Sequence, residues 1–422
     1  MDAEAAYQEL IRRVREESVL TTCEALLEWD EETHMPPGGV ENRGEQLAVI
    51  AGLLHDRGTD PRIGELLAQL EGSELLADPR SPAAVNVREL RREYDRFMRM
   101  PRRLVEEVAR TTALAQTVWA QARSEGDYGR FRPWLDKVLK LKRSEAECVG
   151  YTREPYDALI EDHEPGMTSQ ILERLFGALR RELVSLADRI RERRPRRPAR
   201  LTAHFPVERQ RSFGERVASA VGFDSRRSRF DLGVHPACVG IGPGDCRLIL
   251  RFDTRDFGGG LLTILHEVGH GLYEQGLDPE QYGTPMGETV SVGMDEAQAR
   301  LWESRVGRSR GFWQHFYPGA QALFPDGLGG IGLDRFLMLL NQVQPSLIRV
   351  NADEVTYNLH VLVRFELERA LVSGDLQTAD LPSAWNEGYR KYLGITPSND
   401  REGCLQDGHW ADGLLGYFPT YT

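Results

Sequence analysis

His266, Glu267 and His270 stand in an H-E-x-x-H pattern within LLTILHEVGHGLYEQG, Leu261–Gly276. On a helix, positions i and i+4 lie one above the other, so both imidazoles can reach a single ion. Glu267 projects from the neighbouring flank, close enough to hold a water beside that ion. The alternative is a chance match at three positions. Chance copies sit on solvated polar helices, whereas Leu261, Leu262, Ile264, Leu265, Val268 and Leu272 give this one apolar cover nearly all round. An unliganded His-Glu-His cluster there would be costly to desolvate. A zinc-type site needs a third protein ligand and an open fourth position. Glu296, 26 residues after His270 in MDEAQARLWES, opens a second helical pattern at a spacing that suits a return helix.

The elements around that stretch must place these groups. Gly258-Gly259-Gly260 marks the start of the helix, and Gly269 and Gly271 leave room for close backbone approach. Just upstream, Phe230–Leu250 alternates apolar residues with glycine turns and reads as a small antiparallel sheet. A strand at the rim of a cleft could add an extended peptide as a further strand. Residues 4–30 read as an amphipathic helix ended by Pro36-Pro37, and 41–71 as two helices broken near His55–Asp60. Residues 83–125 are helical with a boundary at Pro101, and 134–150 continue the theme. After Thr168, a plausible N-cap, Leu172, Leu175, Phe176, Leu179, Leu183, Leu186 and Ile190 trace one stripe. Residues 296–395 are helical again, and the glycine- and aromatic-rich ending reads as loop. His34 lacks a partner at ligand spacing, and His360 reads as core.

A net charge of -12 argues against nucleic acid or an anionic membrane as partner, since phosphate binding needs a basic face. The one basic run, Arg191–Arg200, is broken by proline and reads as an exposed connection. No stretch approaches the 18 or so apolar residues of a membrane span. The N-terminus is acidic and polar, without the apolar region of a signal peptide. Five scattered cysteines read as reduced thiols, which points to the cytoplasm. With no clean linker, the expectation is one mostly α-helical catalytic domain over 1–422. A helical lobe (1–200) would be followed by a metal-site lobe (201–422).

Seven segments carry a resemblance, in order: ALLEWDEETHMPP, PYDALIEDHEPGM, HEVGHGLYEQGL, QARLWESRVGRS, IRVNADEVTYNLHVLVRFELE, DLPSAWNEGY and GCLQDGHWADGLLGYFPTY. From Leu26 onward the chain resembles the Taq-type zinc metallocarboxypeptidases. The resemblance implies a single large helical gluzincin-type fold with a deep groove, release of C-terminal amino acids from peptides, and a homodimer. It makes His266, His270 and Glu296 the zinc ligands, with Co²⁺ or Mn²⁺ as alternatives, and Glu267 the general base. A second electrophile beside the metal is sought in His409 and Tyr417. A terminal carboxylate calls for a buried arginine fork, Arg349 first and Arg247 second, with Asp295 and His235 also facing substrate.

Structural readings stand beside these. Arg349 has Asp353 one helical turn on as an ion-pair partner, His409 could be a packed core histidine and Tyr417 a wall. Asp295-Glu296-Ala297 replaces the family's H-E-S, Asp245–Ile249 its D-x-R-x-T, and His235-Pro236-Ala237 its H-P-F. A carboxylate at 295 near the metal would raise the water's pKa and oppose an incoming carboxylate. The family continues beyond G-Y-F-P, so Tyr417 and Tyr421 are expected near a frayed end. Two other readings stay open: an amidase or tailoring peptidase with a narrow substrate, and a silent zinc-binding scaffold. Retention of Glu267 argues against the last.

Overall fold

Side-chain caps set where the early helices begin. The structure is a computed structural model that describes residues 2–193, 201 and 203–422. Its first helices are α1 (Ala3–Thr33), α2 (Val40–Gly58), α3 (Pro61–Leu70), α4 (Pro82–Phe97), α5 (Arg102–Glu125) and α6 (Tyr128–Val149). Asp2, Asp60, Ser81 and Asp127 accept backbone N–H groups at the starts of α1, α3, α4 and α6, groups a helix start otherwise leaves unpaired. Pro101 immediately precedes α5, as its fixed φ and missing N–H require. Then come α7 (Pro155–Ile160) and α8 (Ser169–Glu192), the latter capped by Thr168 as expected. The apolar stripe of α8 is buried less than its pattern suggests: Leu172 and Phe176 are covered while Leu175 is 56% exposed. The basic run that follows lies, from 194 to 200, outside the described residues.

After α9 (Val207–Ala220) the chain forms β1 (Ser228–Leu232), β2 (Ala237–Gly242) and β3 (Asp245–Leu250), in spatial order β1-β3-β2. Strands β2 and β3 are an antiparallel hairpin, but β1 runs parallel to β3, so the sheet is mixed rather than wholly antiparallel. The central place falls to β3, which buries Cys246, Leu248, Ile249 and Leu250. Residues 233–236 therefore carry the chain past it. Alternation of apolar residues reports burial, not strand direction.

Helix α10 (Phe257–Gly276) packs against β3, α9 and α11 (Val292–Arg300). Asp256 caps it through Gly259 N at 2.9 Å. Two glycines let its neighbours close in: a Cβ at Gly269 would lie 2.5 Å from Ala299 Cα, and one at Gly271 2.5 Å from the Phe223 ring. Helix α11 continues into a π-helical turn, Leu301–Val306, a distortion common at functional sites. The rest is α12 (Arg310–Leu323), α13 (Pro325–Leu328), α14 (Leu333–Leu340), α15 (Tyr357–Ser373) and α16 (Leu381–Leu393).

The largest apolar cluster joins residues of α5 to α8 with α15, α16 and the segment 404–418. A second gathers around α10 and β3. The second cluster begins just after the division expected at residue 200, but residues 352–418 pack with the first. The final segment is irregular, as foreseen, but it is packed and not frayed: Leu405, Trp410, Leu415 and Phe418 are buried, and a 3₁₀ turn spans Phe418–Tyr421. Among the described residues no helix is long and apolar enough to cross a membrane.

Candidate active site

Helix α10 presents His266 and His270 one turn apart, and α11 brings Glu296 across the gap that Gly269 allows. The two Nε2 atoms are 3.3 Å apart, and Glu296 Oε2 lies 3.6 and 3.8 Å from them. Ligand atoms about 2.0–2.1 Å from a tetrahedral zinc are separated by ~3.3 Å, so a slightly open triangle of the right size is already built. Glu296 is 1% exposed; its Oε1 accepts a hydrogen bond from Tyr417 Oη at 3.0 Å while Oε2 is buried without a hydrogen-bond partner. A buried carboxylate oxygen facing two imidazole nitrogens is costly alone and is satisfied by a divalent cation. Imidazole and carboxylate donors suit zinc.

Behind the donors sit two more carboxylates. His266 Nδ1 is 3.1 Å from Glu303 Oε2, which also accepts from Arg300 Nη1 at 2.7 Å. His270 Nδ1 is 2.9 Å from Asp295 Oδ2. Such partners fix ring orientation and leave Nε2 for the ion. Asp295, expected to face substrate, instead contacts the outer nitrogen of His270: it is the residue before Glu296 on α11 and projects past the donor triangle. Glu303 was not singled out from sequence. Its signal was available, since it follows Glu296 by seven residues, two helical turns. Burial would pull His270 down, but Asp295 and Glu296 outweigh it and push the imidazole up to about 10. Burial would raise Glu303, yet Arg300 and His266 hold it at about 2. With Glu267 included, four carboxylates surround two imidazoles, an environment that favours added positive charge.

Glu267 is 4% exposed and shares a cavity with His235, His266, Arg308, Arg349 and Tyr421. Burial pushes its carboxyl above the ordinary value, against the pull of His266 and His270. The aromatic turn of the C-terminal segment closes one side. His409 Nε2 lies 3.2 Å from Tyr421 Oη, and the His409 ring centroid is 5.3 Å from that of Tyr417 and 5.4 Å from that of His235. Burial and the Arg349 charge keep His409 well below its ordinary pKa and lower His235 to about 4, so both rings are neutral. His235 Nδ1 donates to Pro236 O at 2.8 Å, leaving a buried, unpartnered Nε2 acceptor. His360, read as core, is fully buried with Nδ1 at 2.9 Å from Tyr389 Oη.

The two arginines assigned to a substrate carboxylate are already paired. Arg349, 2% exposed, contacts Asp407 through Nε (3.1 Å) and Nη2 (3.0 Å) and donates to Tyr357 Oη from Nη1 (2.8 Å). Its partner is thus Asp407, not Asp353, which accepts from the backbone N–H groups of Val355 and Thr356. Arg247 pairs with Asp245 at 3.0 and 2.7 Å and lies over the Trp29 ring, 4.2 Å from its centroid. His235, Asp407 and His409 also come close enough to suggest a second cation site. Asp407, however, is held between Arg349 and Arg364 and kept well below the carboxylate range, so its one negative charge already faces two guanidiniums. A cavity of about 270 Å³ opens between α1 and the β2–β3 hairpin, away from all three donors. Donor chemistry, not cavity size, therefore locates the site.

The profile of the carboxypeptidase Taq (M32) metallopeptidase family matches residues 9–422. Thermostable carboxypeptidase 1 of Thermus thermophilus is 47% identical over 434 residues, spanning 100% of this chain and 84% of the relative. Carboxypeptidase 1 of Bacillus subtilis is 34% identical, spanning 99% and 83%. Among solved structures, the M32 carboxypeptidase of Deinococcus radiodurans R1 superposes with a TM-score of 0.88 at 39% identity, over 99% of this chain and 84% of that one.

Proposed function

The chain belongs to the M32 metallocarboxypeptidase family, and from that premise we propose a zinc peptidase centred on His266, His270 and Glu296, with Glu267 as general base. The single observation that carries this reading is the donor triangle with its orphaned Glu296 oxygen. A divalent ion there supplies Lewis acidity and makes its water a nucleophile near neutral pH. Glu267, raised by burial and beside His266, would accept the proton of an attacking water and return it to the leaving amine. Tyr417, hydrogen-bonded to Glu296, and His409, whose ring packs against that of Tyr417, are the proposed second electrophile. His235, through its free Nε2, accepts a substrate N–H. Zinc is favoured over cobalt or manganese by the two-imidazole, one-carboxylate set. A homodimer and residence in the reducing cytoplasm complete the proposal. The homodimer rests on family resemblance, and the compartment is supported by five unbridged cysteines.

The test is mass spectrometry of a mixed peptide library after incubation with zinc-loaded protein. Chelated protein and Glu267→Gln serve as controls. Successive loss of single C-terminal residues, absent in both controls, is the expected result. Full turnover by Glu267→Gln with normal zinc content would remove Glu267 as the base. Release of internal fragments instead would remove the carboxypeptidase reading of the cleft.

A further inference from the structure

An exopeptidase needs a cation for the terminal carboxylate, and the two arginines expected there are engaged. A third is not. Arg308 follows the π-helical turn and lines the same cavity as Glu267 and His266. It is half-buried, and its guanidinium is steadied by one neutral contact, Nη1 to Leu340 O at 3.0 Å. Its Nε is buried without a hydrogen-bond partner, and among the described residues no carboxylate pairs with it. Burial disfavours its charge, and the nearest acids, Glu303 above all, act only at a distance. Glu303 is itself already satisfied by Arg300 and His266. Arg308 is therefore a partly desolvated cation without a direct ion-pair partner beside the proposed metal centre, an arrangement that an anion would complete.

We propose that Arg308 is the specificity-determining cation of the cleft, receiving the free α-carboxylate of the peptide's last residue through the guanidinium N–H groups not given to Leu340. A guanidinium presents parallel N–H donors that match a carboxylate bidentately, which a C-terminal amide cannot reproduce. Arg349 then has a different task, holding Asp407 and Tyr357 in place under the aromatic turn. This inference rests on the carboxypeptidase reading and adds to it the residue that makes the cleft selective for chain ends.

The experiment compares wild type, Arg308→Gln and Arg308→Lys, all zinc-loaded. Substrates are an N-blocked dipeptide with a free carboxylate and its C-terminal amide. Binding of an N-acetyl amino acid and its amide to Glu267→Gln, with and without Arg308→Lys, is measured in parallel by calorimetry. The expected result is a fall in kcat/KM for the free acid of about 10²-fold in Arg308→Gln, carried mainly by KM, with the amide barely affected. Arg308→Lys should recover part of the loss, and zinc content should be unchanged. In the Glu267→Gln background, the preference of wild-type Arg308 for acid over amide should shrink in Arg308→Lys. That binding arm decides the matter if Arg308→Gln does not fold. Undiminished acid-over-amide preference in both variants overturns the assignment while leaving the peptidase intact. Inactive wild type towards every peptide sinks the broader reading instead.

Discussion

Asp295 shows how one substituted residue changes its neighbours' chemistry. The expectation that it would burden the metal's water came from its position beside Glu296. The structure sets its carboxylate 2.9 Å from the outer nitrogen of His270, on the side of the ring away from Nε2. Outer partners of this kind are worth 10–100-fold in metal affinity. Asp295→Ala should weaken zinc binding by about 10–100-fold in a chelator competition, with Asp295→Glu intermediate and Tm of the zinc-free protein little changed. Equal zinc affinity in Asp295→Ala and wild type would show that the contact does not orient His270. At this scale the sequence was readable where geometry is local. His266, Glu267 and His270 lie within one helical turn, and their relation is dictated by 3.6 residues per turn. The partner of Arg349 was not readable, because Asp407 is 58 residues away and only tertiary packing brings it closer than Asp353.

At the scale of elements, the metal centre depends on how closely α10 and α11 approach. Gly269 sets that distance, since any side chain there meets the backbone of Ala299 and not a movable side-chain end. Gly269→Ala must push α11 outward and carry Glu296 away from the two imidazoles. We expect a loss of about 1–3 kcal/mol of stability by denaturant unfolding, the usual range for overpacking. Zinc affinity should fall with it. A variant that loses stability but keeps full zinc affinity would mean the donors follow α10 alone. Helix identities and most boundaries were legible, because Pro101, Thr168 and the glycine-flanked apolar run are strong local signals. The parallel pairing of β1 with β3 was not, since strand direction depends on where the connection crosses. The exposed Leu175 shows the same limit: a stripe on α8 predicts a face, not what covers it.

Across the whole molecule, buried ionisable groups give stability a pH dependence whose sign can be worked out. Burial is the chief cause that pushes Glu17, Glu24 and Glu31 on α1, Glu93 on α4 and Glu274 on α10 up to about 7. A carboxyl with a raised folded pKa holds its proton more tightly folded than unfolded. Its contribution is complete below the unfolded value and is lost as pH rises through about 7. Buried histidines act in the opposite sense. Burial lowers His163 and His235 to about 4, and holds His360 and His409 well below the ordinary value. Their neutral folded forms cost stability as pH falls below the unfolded value of about 6.5, and they add nothing further above it. Asp407, held low by Arg364 and Arg349, contributes until the pH drops beneath the ordinary carboxylate range. The two sets therefore oppose each other between about pH 4.5 and 6.5, and above that the carboxyls alone remain of these groups. Zinc-free protein should show a Tm that falls from about pH 6.5 to pH 8, read by scanning calorimetry at fixed ionic strength. Glu24→Gln, which keeps the shape and removes the titration, should flatten that descent. A Tm that climbs steadily to pH 8 would mean the carboxyls on α1 are solvated well enough to titrate as they do in the unfolded chain.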